Sequence, residues 1–66
     1  MNTAELKQAA APMFSAVVGR LPRDHSRTEA RDTIRAVLDE NPHVAGPDRR
    51  FCADFLMSRL GYGGGF

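Results

Sequence analysis

The chain has 66 residues, of which 42% are hydrophobic, a formal net charge of +1 and a single cysteine. A chain this short forms one domain, which excludes a substrate cleft between domains. Because one cysteine cannot form an internal disulfide and structural zinc requires four ligands, the core has to come from packed helices or from association with a partner.

The first predicted element is a helix over residues 3–21. Apolar side chains recur there at spacings of three and four, which places them on one helical face: Leu6, Ala10, Met13, Phe14, Val17, Val18 and Leu21. Asn2 followed by Glu5 predicts a capping box at its start. Pro12 lacks an N–H and its ring clashes with the preceding turn, so we expect the helix to be kinked or split there.

The second predicted helix runs from Arg27 to Glu40. Ser26 followed by Glu29 predicts another capping box at its start. Its inward stripe consists of Ala30, Ile34, Val37 and Leu38. The helix is expected to end before Pro42, because the residue that precedes a proline disfavours the helical conformation.

The third predicted helix begins at Gly46 and Pro47, since proline is well tolerated in the first helical turn. It ends at Gly61, a residue suited to a left-handed C-cap, with Tyr62 placed for the accompanying apolar contact. Apolar residues cover more than half of its circumference: Phe51, Cys52, Ala53, Phe55, Leu56, Met57 and Leu60. Such a helix is either sandwiched between the other two or partly exposed for a partner.

Together these elements predict an all-α fold, a small single-domain bundle of three main helices. The domain spans residues 1–62, and residues 63–66 form a flexible glycine-rich tail. The predicted core contains Phe14, Val17, Ile34, Val37, Leu38, Phe51, Phe55, Leu56 and Leu60. No apolar stretch approaches the roughly 20 residues that span a bilayer, and no signal peptide opens the sequence, so a cytoplasmic protein without membrane contact is expected.

The residues that usually carry catalysis or bind metals are few. His25 and His43 lie in predicted turns, and Cys52 lies on the apolar third helix, where cysteine commonly behaves as a small hydrophobe. The glycines at 63–65 follow a helix and do not open one, so they lack the context of a phosphate-binding loop. The sequence therefore predicts no enzyme activity and no catalytic, cofactor or metal site.

Arginine is unusually frequent, since eight of the nine cationic residues are arginines. Two explanations are open: codon bias in a GC-rich genome, and a preference for bidentate contacts to carboxylate or phosphate. Arg27, Arg31 and Arg35 form a stripe along the second helix. Three interpretations stay open for the stripe: a solvated flank, a contact with an acidic protein, and a contact with nucleic acid.

A helix-turn-helix interpretation rests on Arg49 and Arg50, which would lie in the first turn of a recognition helix. The connection over residues 41–46 is longer than is usual for that motif. Asp48 and Asp54 would face phosphates, and the net charge is far from the basic balance of a nucleic-acid binder. Nucleic acid is therefore the weaker alternative.

The function predicted from the sequence is that of a small non-enzymatic regulator or adaptor, of the bacterial or phage accessory type, that binds a larger protein or protein complex. Its predicted partner-binding residues are arginines together with adaptable and aromatic side chains: Arg27, Arg31, Arg35, Arg49, Arg50, Met57, Tyr62 and Phe66. The alternatives are a helix-turn-helix-like DNA-binding module and a self-associating structural subunit, such as a homodimer.

Overall fold

The structure, a computed structural model, describes residues 1–63 and contains three α-helices. They are α1 (Thr3–Arg20), α2 (Arg27–Asp39) and α3 (Pro47–Arg59). Each helix packs against the other two. This arrangement confirms the predicted all-α bundle.

The relative directions of the helices follow from contacts near their ends. The ammonium of Met1 lies 3.8 Å from the Asp48 carboxylate, next to the start of α3. The Arg59 guanidinium, at the end of α3, lies 4.9 Å from the centre of the Phe14 ring in the second half of α1. Helices α1 and α3 therefore run in the same direction, side by side.

The N-terminal ends of α1 and α2 are held by the two predicted capping boxes. The Asn2 side chain accepts a hydrogen bond of 2.9 Å from the Glu5 amide, and the Glu5 carboxylate accepts one of 3.0 Å from the Asn2 amide. Ser26 and Glu29 exchange the same pair of bonds, each 3.1 Å long. Each box satisfies amides that have no partner within the helix.

Pro12 lies inside α1, which continues through it as one helix. Of the two predicted alternatives, a split helix is not formed. Pro12 and Gln8, whose carbonyl would have received the missing N–H, both lie on the exposed side. An exposed carbonyl can be hydrated by solvent, so the loss of one backbone bond does not require the helix to be interrupted.

The boundaries of α3 depend on two glycines with left-handed backbone angles. Gly46 precedes the helix with φ 58°, and Gly61 follows it with φ 92°. The Gly61 amide donates to the Ser58 carbonyl at 3.0 Å, and the Tyr62 amide donates to the Met57 carbonyl at 3.1 Å. These two bonds form the Schellman motif that the sequence predicts.

The buried core consists of aliphatic and small side chains from all three helices and from the α2–α3 connection: Leu6, Ala10, Met13, Val17, Ala30, Ile34, Val37, Leu38, Val44, Cys52, Ala53, Leu56 and Met57. Val44 was not predicted; it fills the space beneath the connection and is 1% exposed.

The predicted core was wrong in one respect, because four of its members are only half-buried: Phe14, Phe51, Phe55 and Leu60. The centre of so small a domain is filled by smaller side chains, and the phenylalanine rings lie at its border. Phe51 and Phe55 stack there, with ring centres 6.2 Å apart and planes inclined by 8°.

Apart from Gly63, the predicted flexible tail over residues 63–66 lies outside the described residues. Over residues 1–63, no helix combines the length and the apolar character that crossing a bilayer requires.

Candidate functional site

The side chains of potential catalytic interest are placed by packing. Cys52 is fully buried, and its thiol lies 4.0 Å from the Leu6 carbonyl. Burial raises the pKa of the Cys52 thiol, and the negative charge of Asp48 raises it further. Since the thiolate is the reactive form, this environment favours the predicted packing role. Among residues 1–63, no group of three or more His, Cys, Asp or Glu side chains is arranged to hold a metal ion.

His25 lies in the predicted turn before α2 and is half-buried. Its Nδ1 atom lies 3.0 Å from the Pro22 carbonyl, and its own carbonyl accepts a 2.9 Å hydrogen bond from the Tyr62 hydroxyl. The centres of the His25 and Tyr62 rings lie 5.6 Å apart. These contacts attach the α1–α2 loop to the end of α3.

A surface groove runs between the parallel helices α1 and α3. Near their N-terminal ends it holds a cavity of about 380 Å³ lined by both helices: Thr3, Lys7, Phe51, Asp54, Phe55 and Ser58. One turn further along, a cavity of about 290 Å³ is lined by Lys7, Ala11, Phe14, Ser15, Phe55 and Arg59. The two cavities share Lys7 and Phe55, so they form one continuous depression.

Another cavity lies near the C-terminal ends of the two helices and shares no lining residue with the first two. This third cavity, of about 370 Å³, is lined by Val18, Leu21, Pro22, Arg23, His25 and Leu60. Val18 lies one turn after Phe14 and Ser15, on the same flank of α1. Its side chain is 49% exposed. We call the surface lined by these three cavities the α1–α3 groove.

The charges along the α1–α3 groove are mostly positive. Lys7 and Arg59 border its middle cavity, and Arg23 borders its C-terminal end. Asp54 borders the N-terminal cavity. Among the charged residues that line these three cavities, three cations therefore face one carboxylate.

The five predicted arginines lie on a different surface, which we call the arginine edge: Arg27, Arg31, Arg35, Arg49 and Arg50. The first three are exposed and follow one another at four-residue intervals along α2. Arg49, at the start of α3, donates a 2.7 Å hydrogen bond to Asp39, one turn beyond Arg35. Arg50 is exposed beside it. Arg49 thus contributes to the α2–α3 contact as well as to the surface charge.

The other three predicted partner-binding residues differ in their surroundings. Met57 is fully buried in the core, so its side chain is not part of the surface. Tyr62 is half-buried and its hydroxyl is bound to the His25 carbonyl. Phe66 lies outside the described residues.

A salt bridge that the sequence did not suggest joins the ends of α1 and α2. Both Arg20 Nη atoms donate to the Glu40 carboxylate at 2.7 Å. The hydrogen bonds from Arg20 hold the pKa of the Glu40 carboxyl below its ordinary value. The two residues are twenty positions apart, so no local sequence pattern indicates this pair.

Sequence reasoning also missed Lys7, Phe14, Phe55 and Arg59 as surface residues. The sequence does contain one signal for this side of α1: residues 8–19 include no charged side chain. An amphipathic helix with a single buried face normally carries charges on its opposite face. The uncharged stretch therefore marks a helix whose outer side lacks the charges that usually face water.

The comparisons with known proteins provide no relative for this chain. No protein-family model, curated protein or solved structure matches it. A proposal for its function therefore depends on its own residues.

Proposed function

We propose that the chain is a small non-enzymatic regulator or adaptor that binds a larger protein. The observation that carries this proposal is the set of three partly buried phenylalanines, Phe14, Phe51 and Phe55, that line cavities on one side of a folded domain. Aromatic side chains contribute strongly to binding when a partner covers them. Apolar side chains that line a surface groove and are bordered by polar residues are typical of an interaction site.

The arginine edge supplies a second contribution. Its exposed guanidinium groups attract acidic segments and can bind carboxylates in bidentate geometry. Charges at the border of an interface mainly increase the association rate and the selectivity for a partner. In this proposal the apolar surface supplies affinity, and the arginines select an acidic partner.

The direct test is affinity capture with the tagged full-length chain as bait in an extract of its source cells, followed by identification of the retained proteins. The proposal predicts one defined protein partner. Arg31→Gln combined with Arg35→Gln should leave the fold intact and reduce capture. The matched control, Thr28→Glu with Ala36→Glu, changes the net charge equally at other exposed positions of α2 and should not reduce it.

Two results would contradict the proposal. In the first, the chain retains no protein but binds duplex DNA. The affinity for DNA would then fall steeply as salt rises, as phosphate contacts require. In the second, the chain sediments as an oligomer of itself at increasing concentration and retains no other protein. Capture that is equal for the arginine variant and its control would remove the arginine edge from the interface.

A further inference from the structure

We infer that the α1–α3 groove binds an acidic amphipathic helix of the partner protein. This inference rests on the proposed function and adds the place and the chemistry of the contact. It draws on the shape of the groove, the polarity of α1 and the charges at its borders.

The shape of the groove suits a helix. Its two walls are parallel helices, and α1 has 18 residues, which corresponds to about 27 Å at 1.5 Å per residue. Midway along it, the exposed residues Ala11 and Ser15 are small, so another backbone can approach closely. Phe14, one face of which the Arg59 guanidinium covers, and Phe55 line the same cavity and form its apolar part. A helix laid into such a groove makes contacts at intervals of three and four residues.

The polarity of α1 indicates that its outer side suits a protein contact better than water. From Gln8 to Gly19 the helix carries no charge, and Val18 leaves about half of its surface exposed. A partner helix with an apolar stripe would cover this surface. The bundle would then have four helices, with α1 packed on both sides.

The charges select the kind of helix. Lys7 and Arg59 lie on opposite walls of the middle cavity, one on each helix, and Arg23 lies at the C-terminal end. An apolar stripe flanked by Glu or Asp would place carboxylates near these cations. A second copy of this chain is a poorer occupant, because a two-fold contact through the groove places the same cationic borders near each other.

The experiment uses two synthetic probes, each a helical peptide of 18 residues with leucine repeating at spacings of three and four. In one peptide glutamate flanks the leucine stripe, and in the other lysine replaces every glutamate. We expect the full-length chain to bind the acidic peptide at least about tenfold more tightly at low salt. The difference should shrink as salt rises, because the cations lie at the surface.

Two matched variants locate the binding. Ala11→Glu places a carboxylate in the middle of the groove and should weaken binding of the acidic peptide by about tenfold. Ala36→Glu makes the same change at an exposed alanine of α2 and should leave the affinity within about twofold of the unmodified chain. Lys7→Glu combined with Arg59→Glu should reverse the preference toward the lysine peptide, which loss of folding would not produce.

Each contrary result has a defined meaning. Equal affinity for both peptides, no binding of either, or equal effects of the two alanine variants would overturn the inference. So would a dimer of the chain that Ala11→Glu dissociates, since the occupant would then be a second copy. If affinity capture still retains a defined partner with the Ala11→Glu bait, the proposed function stands and only the groove inference is wrong.

Discussion

The outer surfaces of α1 and α2 differ more than their inner surfaces do. Both helices bury an aliphatic stripe in the same core. Of the 13 residues of α2, six are charged, as is usual for a helix that faces water. Residues 8–19 of α1 contain no charge. Because folding requires only the inner stripes, this difference is one reason for the proposal that the outer side of α1 serves another contact.

Helix α3 presents both kinds of surface. Phe51 and Phe55 line the α1–α3 groove, while Arg49 contacts Asp39 of α2. Between these two sides Leu56 and Met57 are fully buried. The unusual breadth of apolar surface on α3 thus has two parts, one in the core and one at the border of the groove.

The largest expected effect is a loss of stability that is greater in the core part of α3 than in the part at the border of the groove. Leu56→Ala removes a fully buried side chain and should lower the free energy of unfolding by about 2 to 5 kcal/mol. Phe55→Ala, at the neighbouring position, should cost about 1 kcal/mol, because its ring is already partly in contact with water. Urea denaturation of both variants measures the difference. Equal losses would mean that Phe55 belongs to the core and that the groove is not a free surface.

Gly61 and Gly19 differ in what limits their replacement by alanine: backbone conformation at Gly61, and the space around the side chain at Gly19. Gly61→Ala should destabilise the domain by about 1 kcal/mol, because its φ of 92° is unfavourable for alanine. Gly19→Ala should stabilise it by about 0.5 kcal/mol, since Gly19 lies within α1 and an added Cβ meets nothing within 4 Å. Thermal unfolding measures both effects. A destabilising Gly19→Ala would show that the outer side of α1 is already packed.

Exposed alanines test whether α1 must stay uncharged in order to fold. Ala11→Glu and Ala36→Glu should each change the free energy of unfolding by no more than about 0.5 kcal/mol, because both positions are exposed. Chemical denaturation of the free domain provides the measurement. If Ala11→Glu alone unfolded the domain, the uncharged outer side of α1 would be explained by folding and not by binding.

The smallest expected effect is the pH dependence from the salt bridge between Arg20 and Glu40. The pKa of Glu40 is lowered in the folded state by its hydrogen bonds to Arg20. The stabilisation is therefore complete above the ordinary carboxyl pKa and is lost as the pH falls through the lowered value. Melting temperatures of the unmodified chain and of Glu40→Gln should converge in acid and separate slightly toward neutral pH. A constant separation over that range would show that the pair does not contribute.

Local patterns predicted most of the fold. The capping boxes at Asn2 and Ser26, the proline at the start of α3 and the glycine at its end are short-range signals, and all of them are confirmed. Which apolar residues reach the centre depends on how three helices meet. Periodicity alone therefore did not distinguish buried Leu56 from half-buried Phe55.

The candidate site was less predictable because it is formed between helices. Lys7 and Arg59 are far apart in the chain, and they line the same cavity only because α1 and α3 run in parallel. Arg27, Arg31 and Arg35, in contrast, could be predicted as a group, because they repeat at four-residue spacing on a single helix. Met57 was predicted to bind a partner from its residue type, and its position in α3 places it in the core.

We expect the acidic helix to contact the uncharged side of α1, while the arginine edge of α2 stays available for another segment of the partner. Amide chemical-shift mapping of the isotope-labelled chain, titrated with the acidic peptide, tests it most directly. The account predicts changes concentrated in residues 7–18 and 51–60, with the amides of Arg27, Arg31 and Arg35 unaffected. Changes centred on α2, with residues 7–18 unaffected, would contradict it.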